Sequence, residues 1–221
     1  AIFRNYPIPQ RPEWELEIEC EKCGTRYSVI GSAFFCPSCG TNAVSRVFLE
    51  SMETIGLMVS EADAIEFPGS VGRDQKVRIQ QHIIETSIGE AVSAFQSFAY
   101  AVYTGHTGKA ARPNDFQIVE KGNSMLSEIS WSYSNWLSDA ELRFMSIMFQ
   151  RRHLIEHNGG LVDKKYLERT ADRAYGPGQR IIISKSDALR FVDILKKLGT
   201  GIIEKIRETN GRQFKREDDN G

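Results

Sequence analysis

All four cysteines of the chain fall in two Cys-x-x-Cys pairs, Cys20 with Cys23 and Cys36 with Cys39, and twelve residues separate the pairs. Two such knuckles bring four thiolates onto one tetrahedral ion, and zinc suits that geometry best. Gly24 and Gly40 each follow a second cysteine. Glycine there lets the backbone turn so that its N–H groups point at sulfur. Two disulfides are the other reading. They need an oxidising compartment, and nothing else in the chain suggests secretion. The expectation is one structural zinc per chain, with four protein ligands and no open coordination position.

Around the knuckles the pattern is that of short strands. Glu13 to Glu19 alternates strictly, with Trp14, Leu16 and Ile18 on one face and Glu13, Glu15, Glu17 and Glu19 on the other. Arg26 to Ile30 and Ala43 to Phe48 are further strand candidates. Residues 1–48 thus read as a small β zinc ribbon, too short to hold a core without its metal. The acidic row argues against this face gripping RNA. It protects an edge strand or meets a basic partner.

From about residue 50 the period becomes helical, and residues 49–210 read as one helical domain. Helices are expected from Ser51 to Ala64, from Asp74 to Tyr103 and from Phe116 to Ile129. In the second, Val77, Ile84, Ile88, Val92, Phe95, Phe98 and Val102 form one stripe. Trp131, Tyr133 and Trp136 crowd a polar turn, where aromatics ordinarily pack in a core or interface and can also stack bases. Ser138 and Glu141 make a capping box that opens the next helix, and Asn158-Gly159-Gly160 closes it. A short helix from Asp163 to Arg173, an extended apolar run at Ile181 to Ile183, and a final helix capped by Ser186 and ending near Thr209 complete the domain. The polar tail 211–221 is expected to be disordered. No stretch approaches the roughly 20 apolar residues of a membrane span. No signal peptide is visible, so a cytoplasmic protein with no membrane partner is expected.

Charge is uneven. Residues 1–140 carry 11 Lys and Arg against 17 Asp and Glu, whereas residues 141–221 carry 17 against 12. The basic part holds Arg151, Arg152, His153 and His157. Arginine offers a phosphate a planar fork of donors and stays charged, and histidine moves protons near neutral pH. Together they suffice to break a phosphodiester without a metal. On an ideal helix Arg152 and His157 stand about 140° apart. They converge only if the helix unwinds at His157, or if a second copy completes the site.

The stretch from Arg152 to Asp163, with its Arg-polar-x-x-x-His spacing at a helix end in an all-helical body, resembles the HEPN superfamily ("higher eukaryotes and prokaryotes nucleotide-binding"). The likeness covers roughly residues 50–210. It implies a mainly α fold, a HEPN-like helical bundle preceded by the β ribbon. It also implies a metal-independent endoribonuclease, usually a homodimer, from prokaryotic toxin–antitoxin or defence systems. By position Arg152 is the motif arginine, His153 its polar neighbour and His157 the motif histidine. Arg151 and Asn158 are expected at the substrate, and Glu85 or Glu90 is a candidate acidic partner. RNA is the implied substrate, with cleavage by 2′-OH attack, and an antitoxin or defence-complex protein is the implied partner. No catalytic metal is expected.

Two rival readings stand beside it. In one, Arg152 pairs with a carboxylate, the histidines pack, and the protein is a non-catalytic RNA- or protein-binding adaptor. In the other, His153-x-x-Glu156-His157 is an inverted zinc-peptidase motif.

Overall fold

The computed structural model describes residues 15–20, 22–30, 36–39, 43–112 and 114–218. Cα packing divides the chain into two units, Ala1–Val47 and Phe48–Gly221.

In the first unit β1 (Glu15–Glu19) pairs antiparallel with β2 (Arg26–Ile30), Glu15 opposite Ile30 and Glu19 opposite Arg26. The alternation works as expected: Ile18 is buried while Glu17 and Glu19 are exposed. Arg26 Nε reaches Glu19 Oε2 across the pair at 3.0 Å. The expected strand residues Glu13 and Trp14, and Gly40, lie outside the described residues. The strand expected at Ala43–Phe48 is instead the start of a helix, α1 (Val44–Glu61). Its buried residues are Phe48, Met52, Ile55 and Val59, spaced by three and four. That spacing belongs to one face of a helix, and it outweighs a β-rich stretch of six residues.

The second unit is helical. Its further helices are α2 (Arg73–Thr107), α3 (Val119–Ser127), α4 (Asp139–His157), α5 (Lys164–Thr170) and α6 (Lys185–Asp218). The fold is therefore mainly α, a helical bundle preceded by a small two-stranded sheet, as the sequence predicts. No helix among the described residues is long and apolar enough to cross a membrane.

α2 is the spine. At 35 residues it is about 52 Å long. It packs along α6, and α4 lies against both. Ile84, Ile88, Val92, Phe95 and Phe98 are buried from the expected stripe, but Val77 is 56% exposed, because the stripe begins to face the core only from Ile84. Phe48 stacks on Phe98 with centroids 4.5 Å apart. A glycine on α6 makes room for it: a Cβ on Gly199 would lie 2.0 Å from the Phe48 ring. Tyr133 is wholly buried and Trp131 nearly so, with Trp136 half-buried, so the aromatic cluster is packing.

Several ends differ from expectation. Residues 115–117 form a separate 3-10 turn ahead of α3. Ser184, not Ser186, receives the Asp187 amide at the start of α6. α6 continues to Asp218, where the tail was expected to lack structure. Lys, Arg, Gln and Glu are good helix formers, and polarity does not bar a helix. The run Ile181–Ile183 is extended as expected, with Ile181 and Ile183 buried and Ile182 exposed.

Candidate functional site

Two groups of side chains carry chemistry, one in each unit. In the first unit the β1–β2 turn is closed by Gly24 N–H donating to Cys20 O at 2.9 Å, with Gly24 at φ +68°. That turn places Cys20 and Cys23 together. Cys20 Sγ lies 3.7 Å from Cys39 Sγ, and Cys23 Sγ lies 3.6 Å from Cys36 Sγ. All four sulfurs are within 4.8 Å of one another. These separations are far longer than a disulfide bond of about 2.05 Å. They match the edge of about 3.8 Å of a tetrahedron with metal–sulfur bonds of about 2.3 Å. Cys36 is pushed up to about 11; a backbone hydrogen bond from Cys39 works to lower it, but burial and the neighbouring sulfurs of Cys23 and Cys20 prevail. Hydrogen bonds with Thr25 lower Cys23 instead, and a cation among the sulfurs would favour the thiolate at Cys36 as well. Among the described residues, the cysteines are the one group of three or more His, Cys, Asp or Glu ligands this close together. His153 and His157 belong to no such group.

In the second unit the site is built on α4. Ser138 opens it: its Oγ accepts from Glu141 N at 3.3 Å, and Glu141 Oε2 accepts from Ser138 N at 2.8 Å. At the far end Asn158 N and Gly160 N both donate to Leu154 O, at 2.8 and 2.9 Å. Gly159 and Gly160 have φ of +59° and +76°, a conformation that favours glycine. His157 is the last helical residue. The helix does not unwind beneath it, contrary to one route by which Arg152 and His157 could converge. The cap of Asn158 to Gly160 does its work after His157, not at it.

Arg152 faces α2, its side chain 16% exposed, with Nε 2.6 Å from Glu156 Oε1. The Nε–H is not aimed along that line and makes no hydrogen bond. Nη1 donates to Gln117 Oε1 at 3.3 Å. Arg152 and Glu156 line a groove of about 400 Å³ between α2 and α4, with His82, Glu85, Gly89 and Glu90 on its opposite wall. Of the two acidic candidates, Glu85 is tied to Arg180 at 3.2 Å, and Glu90 is exposed.

His157 stands on the outer side of α4, 60% exposed, and its Nε2 is 3.8 Å from Glu156 Oε2. Glu156 thus stands between Arg152 and His157. His153 is exposed one turn earlier, and the two imidazole centroids are 4.9 Å apart. Partial burial, then the charges of His157, Lys165, Arg152 and Arg169, hold His153 below its ordinary value of 6.5. These neighbouring charges favour the neutral form of His153.

The other expected substrate residues are engaged elsewhere. Arg151, one residue from Arg152, turns inward and is buried. Nη2 meets Asp172 Oδ2 at 2.9 Å, Nη1 meets Asp187 Oδ2 at 3.4 Å, and Nε donates to the Tyr166 hydroxyl at 3.2 Å. It is a structural residue, because a 100° step along the helix swings it from the groove to the core. Asn158 donates to Leu161 O at 2.7 Å and holds its own turn. Sequence reasoning missed Lys165 and Arg169 around His153, and Glu156 as the partner of Arg152. The i,i+4 spacing of Arg152 and Glu156 was the available signal for the last.

Compared with known proteins, the chain matches no protein-family model, no curated protein and no solved structure.

Proposed function

We propose that the protein is a metal-independent endoribonuclease of HEPN type, working as a homodimer in a prokaryotic defence or toxin–antitoxin setting and held in check by a partner protein. The observation that carries this reading is the pair of exposed imidazoles, 4.9 Å apart at the end of α4, set in the positive field of Lys165, Arg152 and Arg169. A phosphodiester drawn to that field meets one group able to take a proton and another able to give one. The RNA 2′-OH loses its proton to one imidazole and attacks phosphorus. The 5′-oxygen leaves with a proton from the other. The products are a 2′,3′-cyclic phosphate and a 5′-hydroxyl. His153, whose neutral form is favoured, suits the base. Arg152 stabilises charge on the phosphate oxygens. Because Arg152 and His157 flank Glu156 on one straight helix, a second copy of the chain is needed to bring both onto one phosphate.

In the first unit, the sulfur geometry supports one zinc held by Cys20, Cys23, Cys36 and Cys39. The metal would serve folding alone, since four protein ligands leave no open position.

The ion pair of Arg152 with Glu156 favours a second reading, a non-catalytic RNA- or protein-binding adaptor. Incubation of pure protein with total RNA, with the fragment ends identified, separates the two. The catalytic reading expects cyclic phosphate ends that persist in EDTA, and a loss of about 10²- to 10⁴-fold in rate in His157→Ala or Arg152→Ala. It also expects a rate that rises with pH through an inflection below 6.5, set by His153. Intact RNA, or wild-type cleavage by either variant, rejects it.

A further inference from the structure

We propose that Glu156 is a built-in occupant of the phosphate position on Arg152, and that an RNA phosphodiester enters the α2–α4 groove by displacing it. The ligand class rests on the reading of the site as RNA-directed; the displacement itself rests on geometry. A carboxylate and a phosphate compete for the same face of a guanidinium. Glu156 Oε1 already sits 2.6 Å from Arg152 Nε. Yet the contact is poorly directed, and Nε is left with no hydrogen bond although it is shielded from solvent. An oxyanion placed in the plane of the guanidinium would satisfy that donor. The groove offers about 400 Å³ beside it.

Glu156 occupies a prepared seat. Its Oε1 lies where a Cβ on Gly89 would come within 2.8 Å, so only glycine at that place on α2 lets the carboxylate come so close. A second position awaits it as well: Oε2 is 3.8 Å from His157 Nε2, on the solvent side. Displaced from Arg152, the carboxylate turns toward His157 and orients that imidazole. Glu156 is therefore a positioning residue that keeps the groove closed to anions until one competes with it.

The test is binding of a 2′-O-methyl RNA oligonucleotide, which carries the phosphates but cannot be cut, followed by fluorescence anisotropy at fixed salt. Glu156→Gln should bind about three- to tenfold more tightly than wild type. Gly89→Ala keeps every charge, but its Cβ would lie 2.8 Å from Glu156 Oε1, so the carboxylate must shift, and the variant should also bind more tightly. Glu168→Gln removes the same charge from neighbouring α5 without touching Arg152, and should shift binding less than twofold. Adding Arg152→Ala to Glu156→Gln should abolish the gain. Thermal melts confirm that each variant is folded. If Glu156→Gln and Gly89→Ala bind no more tightly than wild type, or if Glu168→Gln gains as much as Glu156→Gln, the proposal is overturned. Tighter binding by both variants of a protein that cuts no RNA would sustain the displacement and reject the nuclease. RNA cleavage with unchanged binding would do the reverse.

Discussion

Arg151 places its Nη2 2.9 Å from Asp172 Oδ2, with both side chains almost wholly enclosed at 11% and 8% exposure. The Tyr166 hydroxyl donates to the same oxygen of Asp172 at 2.5 Å. Burial alone would depress the Arg151 guanidinium, but its hydrogen bonds to Tyr166 and Asp172 hold it above its usual range. Burial and the Asp172 hydrogen bond push Tyr166 up to about 12. Asp172→Asn leaves the buried cation with only the more distant Asp187. It should destabilise the protein by about 3 kcal/mol, read from the shift of a urea unfolding curve.

Acid should weaken the fold. Burial works to raise Asp172, but the Tyr166 hydroxyl, the Ala174 amide and Arg151 lower it below its usual value of 3.8. The Lys197 hydrogen bond, then those from Ser138, hold Glu141 down at about 2. A depressed carboxylate binds its proton more weakly folded than unfolded. Its contribution is therefore complete above the unfolded value and disappears as pH falls through the folded one. Stability should drop from 4.5 toward 2. His153, lowered from 6.5, acts in the same direction from a higher pH, and weakly because its ring is exposed. Melting temperatures across pH 2–7 check this, and a maximum near pH 3 would contradict it.

Gly199→Ala tests the core. The added Cβ would meet the Phe48 ring at 2.0 Å, and that ring is locked between Phe95 and Phe98. Overpacking of this kind costs about 1–3 kcal/mol. The fall should appear in thermal melts followed by far-UV circular dichroism.

The cysteine cluster predicts one zinc per chain by atomic emission. Cys36→Ser removes a buried ligand and should bring the metal content to near zero. Retention of a full equivalent of zinc would refute the assignment.

Much of this was legible in the sequence, for reasons that can be named. The cysteine spacing is short-range, and thiol chemistry admits few arrangements, so Cys20, Cys23, Cys36 and Cys39 came together as read. Ser138 to Glu141 and Asn158 to Gly160 are local signals, and α4 begins and ends where they stand. The failures involve information that is not local. Whether Val44 to Phe48 forms a strand or a helix depends on Met52, Ile55 and Val59 further on. Arg151 and Arg152 are indistinguishable by residue type. Which one faces Asp172 and which the groove is decided by the direction of the core, and tertiary packing alone sets that.

The enclosed clasp on Arg151 has a consequence at the surface. α5 has seven residues, too few to persist as an isolated helix. Tyr166 belongs to this helix and Asp172 follows it, so the clasp anchors α5 from within. Lys165 and Arg169 ride on the same helix, and they help to set the potential felt by His153. The electrostatic character of the outer face is thus inherited from an interior knot that is almost wholly enclosed. A mutation that loosens that knot would dim the field outside before it melts the fold.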